Sequence, residues 1–308
     1  MRAVITGGAG CIGSELAEAL IARGDQVVIY DNFSSGRREH VVHLPCTVVE
    51  GDLLDRPAFV RAAAGAEFIW HLAANSDVRF SPGRDFEQNA VATHNVLETA
   101  RECGIHGVAF TSSSAVYGIS EVQPIPETQP PRPISLYGAT KLAAEALVAA
   151  YAHMFGIEAW IFRLANIVGP KVRRRGRTVI SDFISKLREN PARLEILGDG
   201  RQAKSYLSSA ECIEALLFAT RHAHAPCSIL NVGGSDSLPV RHIAEMVVEA
   251  MGLSAVEFTF TGGEGGWPGD VPRFLLDTGA LARLGWRARH NSEESVRSAI
   301  GATLERLS

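Results

Sequence analysis

The chain predicts an α/β fold: a doubly wound parallel sheet of about seven strands, with a smaller α+β lobe toward the C-terminus. Three observations carry this. Apolar runs and helix-like runs alternate from residue 2 to residue 164. The first apolar run passes through a glycine-rich turn directly into a helix, and the second closes on an acid, Asp31, 18 positions after Gly13 (31 minus 13).

At 308 residues, 46% hydrophobic and 21% charged, the chain is long enough to bury a substantial core. A net charge of -4 gives no reason to expect nucleic acid or an anionic membrane as partner, so any phosphate must be bound by local groups. No cationic leader precedes an apolar segment and no apolar run approaches ~18 residues, so the expected location is the cytoplasm. Cys11, Cys46, Cys103, Cys212 and Cys227 are odd in number and form no C-x-x-C pair. They read as buried thiols of a reducing compartment, not as disulfides or zinc ligands.

In order, residues 2–6 form the first strand, and Gly7-Gly8-Ala9-Gly10-Cys11-Ile12-Gly13 leads into a helix over 14–23. The glycines let the backbone approach a pyrophosphate, and the helix start offers unpaired N–H groups. Residues 26–30 are the second strand. Asp31 stands where a carboxylate grips an adenosine ribose and repels a 2′-phosphate, which favours NAD over NADP. Arg37 and Arg38 read as part of a solvated loop. Residues 46–50 are the third strand, ending in Gly51-Asp52-Leu53, which either faces the adenine or caps a helix over 56–64. Residues 67–72 are the fourth, running into Ala73-Ala74-Asn75, whose small side chains leave room for a flat cofactor. His71 reads as a core or strand-end histidine. A helix over 86–103 carries Asn89; residues 108–112 are the fifth strand and 157–164 the sixth. The loop from Lys171 to Arg177 is either a phosphate clamp or a solvated loop. Beyond it, a helix over 211–221 and a strand over 228–232 return to the sheet, and elements at 179–188, 194–197, 240–251, 256–261, 273–277 and 293–307 build the smaller lobe. His222 and His224 lack a third ligand, so no metal is expected.

The chemistry is concentrated between Thr111 and Lys141. A hydroxyl run, Thr111 to Ser114, precedes Tyr137-Gly138-Ala139-Thr140-Lys141. Four residues apart on a helix over 136–151, Tyr137 and Lys141 share one face. A phenol acting as a base at neutral pH needs about 3 units of help, or ~4 kcal/mol. An ammonium ~5 Å away at an effective dielectric of ~20 supplies roughly 3 kcal/mol, and an oxidised nicotinamide could supply the remainder. With 5 Tyr and only four lysines (Lys141, Lys171, Lys186, Lys204), chance predicts about 0.06 such pairs, so accident is a poor account.

Thr6-Gly7-Gly8-Ala9-Gly10-Cys11-Ile12-Gly13, Asp31 to Gly36, Gly51-Asp52-Leu53, His71 to Ala74, Ser112 to Gly118, Tyr137-x-x-x-Lys141, Asn166 to Pro170 and Pro268-Gly269-Asp270 follow one another. In this order the chain resembles the extended short-chain dehydrogenase/reductase family, and within it nucleotide-sugar epimerases of the UDP-glucose 4-epimerase type. The resemblance implies a Rossmann-type NAD domain over 1–170, with 205–235 returning to it, and a nucleotide-sugar lobe over 171–204 and 236–308. It implies a tightly bound NAD held by Gly7, Gly10, Cys11, Ile12, Gly13, Asp31, Asn32, Ser34, Ser35, Gly36, Asp52, Leu53, Leu72, Ala73, Ala74, Asn89, Tyr137 and Lys141. Tyr137 would be the base, Lys141 would hold the nicotinamide ribose and lower the Tyr pKa, and Ser113 would hydrogen-bond the reacting sugar oxygen. Asn166, Lys204 and Arg273 would meet the substrate, most simply a UDP-hexose. Oxidation at C4, rotation of the 4-keto sugar and return of the hydride would give the epimer. A homodimer through the helices over 86–103 and 136–151 is a further implication.

A 4,6-dehydratase would need an Asp-Glu pair directly after Ser113, where this chain has Ser114 and Ala115. A non-catalytic NAD sensor would not need Ser113, Tyr137 and Lys141. Lys204 replaces the usual arginine and Leu207-Ser208-Ser209-Ala210 the usual Tyr-Val-Asp-Asp run. Side chains around Ser76-Asp77-Val78-Arg79 and the Lys171 to Arg177 loop could favour a glucuronate or an N-acetyl sugar.

Overall fold

The central strands are buried on both faces, whereas the edge strand over 47–50 is largely exposed. A computed structural model describes residues 1–75, 82–171 and 178–306. Its central sheet is built from β1 (Arg2–Thr6), β2 (Gln26–Asp31), β3 (Thr47–Glu50), β4 (Phe68–His71), β5 (Gly107–Ser113), β6 (Glu158–Leu164) and β7 (Cys227–Val232). The spatial order is β7-β6-β5-β4-β1-β2-β3 and every pairing is parallel. Ala3 and Ile5 pack on one face with Phe68 and Trp70, while Val4 and Ile69 pack on the other. That two-sided burial is why these runs read as continuously apolar.

Helices cover both faces. α1 (Cys11–Ala22) lies over the first, α2 (Arg56–Ala63), α3 (Ala92–Glu102) and α4 (Leu136–Phe155) over the second. The order reverses between β1 and β4, so the loops after these strands diverge and leave a crevice at the carboxyl edge of the sheet. α5 (Val179–Glu189), α6 (Ser209–His222), α7 (Val240–Ala250) and α8 (Ser292–Glu305) follow. α6 returns to the α1 face, whereas α5, α7 and α8 enclose a separate core with Leu194, Ile196 and Tyr206. Around that core, Arg193–Ile196 pairs with Glu257–Phe260, Asn166–Val168 with Tyr206–Ser208, and Ala203–Lys204 with both Leu238–Pro239 and Arg273–Phe274. No helix among the described residues is long and apolar enough to cross a membrane.

Several expectations need correction. The helix at 86–103 opens as a π-helical turn, Phe86–Val91, because Asn89 is drawn into side-chain bonds with the loop after β4. The cap of α2 is Asp55, whose carboxylate accepts from Ala58 N, not Asp52. The strand at 273–277 stops at Phe274, since Leu275 N turns to Gln123 Oε1 and Asp277 N to Ile125 O. A six-residue helix, Gly279–Leu284, was too short to announce itself by periodicity. Of the five free thiols only Cys212 is fully buried.

Candidate active site

The crevice begins where β1 ends. Gly7 turns with φ +69°, and a Cβ there would lie 2.7 Å from Ala73 N. A Cβ at Gly13 would lie 2.4 Å from Gly7 O. Only glycine allows the turn to press against both the exit of β4 and the start of α1. Gly10 caps α1 without a side-chain hydrogen bond, and no acid occupies the first turn, which Cys11 and Ile12 open. Bare N–H groups at the positive end of a twelve-residue helix suit a pyrophosphate.

Asp31 closes β2 beside this turn, accepting from Ala9 N at 2.9 Å and Phe33 N at 2.8 Å. Burial raises its carboxyl above the usual carboxylate range against the pull of those two N–H groups. A Cβ at Gly36 would lie 2.9 Å from each Asp31 carboxylate oxygen, which explains the glycine. Asn32 donates to Asp52 Oδ2 at 2.9 Å and accepts from Ser34 N, and Gln88 donates to the same Asp52 carboxylate. Burial works against Asp52 ionising, but donation from Leu54 N, Asn32 and Gln88 outweighs it and holds the carboxyl below its usual range. Leu53 is buried behind this wall and Ser35 is exposed at its rim. Leu72 N bonds Thr6 O, fixing half-buried Leu72, Ala73 and Ala74 next to the glycine turn. Arg38 lies over the Phe33 ring and pairs with Glu50, and Arg37 pairs with Glu39, as expected of a loop in solvent.

Asn89 is buried, and both of its amide hydrogens are engaged within the protein, by Asn75 O and Thr140 Oγ1. It therefore ties the loop after β4 to α4. His71 is fully buried between Thr6 Oγ1 and Thr93 Oγ1, a strand-end histidine as expected.

Ser113 ends β5, and its Oγ accepts from Ala115 N at 3.2 Å. α4 starts at the Ser135 cap, whose hydroxyl accepts from Gly138 N. A Cβ at Gly138 would lie 2.4 Å from Ala115 O, so the missing side chain lets the first turn of α4 rest on the turn that follows Ser113. That contact sets the first turn of α4, with half-buried Tyr137 on it, against the turn after Ser113. One turn on, Lys141 is 2% exposed, with Nζ 4.2 Å from the Phe110 ring centroid. Burial pushes its ammonium down to about 7, with Glu145 pulling the other way.

The substrate residues expected from the resemblance lie on the small ribbons. Asn166 pairs in register with Tyr206, and their side chains bond. Lys204 and Arg273 share the three-stranded ribbon, Arg273 opposite Ala203 and exposed. Lys204 is not an open clamp: its Nζ bonds Asp270 Oδ1 at 2.5 Å and lies 4.9 Å from the Trp267 ring centroid. Residues 76–79 and most of the loop from Lys171 to Arg177 fall outside the described residues; Lys171 itself pairs with Glu18. His222 bonds Phe218 O and His224 lies beside Glu158. Motif reading took Asp270 only as part of the Pro268-Gly269-Asp270 match and missed Trp267; the ribbon sets both beside Lys204.

Residues 3–233 match the family model for the NAD dependent epimerase/dehydratase family. A crystal structure of a UDP-galactose 4-epimerase is similar over 100% of both chains, at 42% identity and a TM-score of 0.90. A UDP-glucose 4-epimerase of Corynebacterium glutamicum is 31% identical over 267 residues, 82% of this chain and 81% of that one. A dTDP-glucose 4,6-dehydratase of Streptomyces venezuelae, determined with NAD bound, has 25% identity and a TM-score of 0.90 over 99% of this chain and 97% of its own. With the family model spanning most of the sequence and the glycine cradle, Asp31 and the Tyr137–Lys141 helix in their places, this chain belongs to the NAD-dependent epimerase/dehydratase family and is an NAD-dependent enzyme.

Proposed function

We propose that the protein is a nucleotide-sugar 4-epimerase, most simply one that interconverts UDP-glucose and UDP-galactose. The observation that carries this is the turn behind Ser113. Ser114 is buried there and Ala115 only donates its N–H to Ser113, so the turn holds no carboxyl group to remove water from a 4-keto sugar. Ser113, Tyr137 and Lys141 remain to act at C4 alone.

Residues 1–170 with 205–235 form the NAD domain in this reading, and 171–204 with 236–308 the lobe that holds the nucleotide. Asp31, with Asn32 and Asp52 behind it, takes the adenosine end, and the bare first turn of α1 takes the pyrophosphate. NAD, when bound, accepts the hydride from C4 and later supplies it for the return. Tyr137 takes the proton of the C4 hydroxyl and gives it back, while Ser113 Oγ–H donates to the same sugar oxygen. Lys141 contributes positive charge from a site nearly closed to water, where it is screened least. Asn166, Lys204 and Arg273 hold the diphosphate, which leaves the sugar free to turn over. The exposed Phe86, Met154 and Phe155 on the π turn and on α4 support a homodimer through this face.

Incubating the purified protein with UDP-glucose or UDP-galactose and following the sugar protons by NMR tests the reading. Conversion of each into the other is expected, with NAD released only on denaturation. Accumulation of a 4-keto-6-deoxy sugar would overturn it.

A further inference from the structure

Behind the site lies a buried ion pair to which the reaction above assigns no part. Glu145 follows Lys141 by one turn of α4 and Arg163 lies on β6; each side chain is 4% exposed. Arg163 donates from Nε and Nη2 to both carboxylate oxygens, at 2.7 to 3.2 Å. Glu145 Oε1 also accepts from Ser112 Oγ at 2.5 Å. Ser112 is the register partner of Arg163 and directly precedes Ser113. Arg163 Nη1 donates to buried Tyr117 Oη at 2.9 Å, and Tyr117 donates to buried Asn231 Oδ1 at 2.7 Å.

Stability alone does not call for such a pair, since well-packed apolar replacements of buried ion pairs are often neutral or stabilising. What this pair does join is α4, the carrier of Tyr137 and Lys141, and β5, the carrier of Ser113. Among the described residues Lys141 makes no ion pair with any carboxylate. From neighbouring elements His71 on β4 and the Phe110 ring on β5 face it, while Arg163 on β6, bonded to Tyr117, and Cys227 on β7 face Glu145. His71 and Phe110 carry no charge at neutral pH, and Arg163 is positive. Glu145 is the anion whose charge acts on Lys141.

We propose that Glu145 is a positioning residue of this site: its carboxylate, shared by Ser112 and Arg163, fastens the Tyr137–Lys141 helix to the Ser113 strand and serves as the buried counter-charge of Lys141. The inference rests on Tyr137 and Lys141 being the acting pair.

Two measurements test it on the NAD-loaded protein. With only Lys141, Lys171, Lys186 and Lys204 in the chain, isotope-labelled lysine lets NMR follow Lys141, its signal assigned by its loss in Lys141→Arg. Burial already depresses Lys141 and Glu145 opposes that, so removing the carboxylate must depress it further. In Glu145→Gln the Lys141 midpoint should fall by roughly one to two pH units. The kcat for epimerisation should fall about 10- to 100-fold with KM changed by less than about 3-fold, and its alkaline limb should move to lower pH. Should Glu145→Gln fail to fold, Glu145→Leu with Arg163→Met replaces the pair with apolar bulk and should show the same losses. An unmoved Lys141 midpoint, or full kcat with an unaltered pH profile in either variant, would overturn the proposal. The lysine titration needs no sugar, so a shifted midpoint without turnover of any UDP-hexose would refute the substrate assignment and uphold the role of Glu145.

Discussion

In the proposed reaction Tyr137 acts through one hydroxyl, so removing that atom group isolates its part. Tyr137→Phe should lower kcat by roughly 10²- to 10⁴-fold while the purified protein still carries NAD, read by assaying cofactor after denaturation. Turnover equal to wild type would take Tyr137 out of the reaction. His71 offers a test of a different kind. Burial, aided by the charge of Lys141, pushes its pKa down from 6.5 to about 3. Its folded-state value lies below the unfolded one, so between those limits the unfolded chain binds the extra proton. Stability is complete above about 6.5 and is lost as pH falls, by up to about 1.4 kcal/mol per unit from this group. Denaturant midpoints measured across that window should fall with pH, and less steeply in His71→Asn, which keeps the buried site polar without a titrating ring.

At the scale of elements, the contact between α4 and the turn after Ser113 is the critical one. Gly138→Ala would set a Cβ 2.4 Å from Ala115 O and must push the helix away. We expect about 1 to 3 kcal/mol of lost stability and, because the Tyr137 phenol moves with the helix, a 10- to 100-fold lower kcat. Calorimetry and steady-state kinetics on the same sample would check both. The strands were legible in the sequence because parallel strands buried on two faces read as unbroken apolar runs. The glycine cradle and the Tyr137–Lys141 pair were legible because both are local spacings. The π turn was not, since one extra residue in a helical turn barely alters an apolar periodicity. Nor was the Glu145–Arg163 pair: its members are 18 residues apart, and only the packing of α4 against β5 and β6 brings them together. Lys204 was legible as a cation, but not as one already held by Asp270 and faced by Trp267.

For the whole molecule, the apolar side chains left in solvent on α4 give a measurable expectation. Phe155 and Met154 are 45% and 71% exposed at the C-terminal end of the helix. If that face joins two copies, sedimentation should give twice the chain mass, and Phe155→Glu should halve it while leaving the fold intact. The position of β7 bears on how the molecule is made. It is the last strand of the central sheet in the sequence and lies at its edge, against β6. A chain leaving the ribosome therefore presents β6, with Trp160 and Phe162, as an unpaired border until residues 227–232 emerge. During that interval the nascent protein has most need of a chaperone.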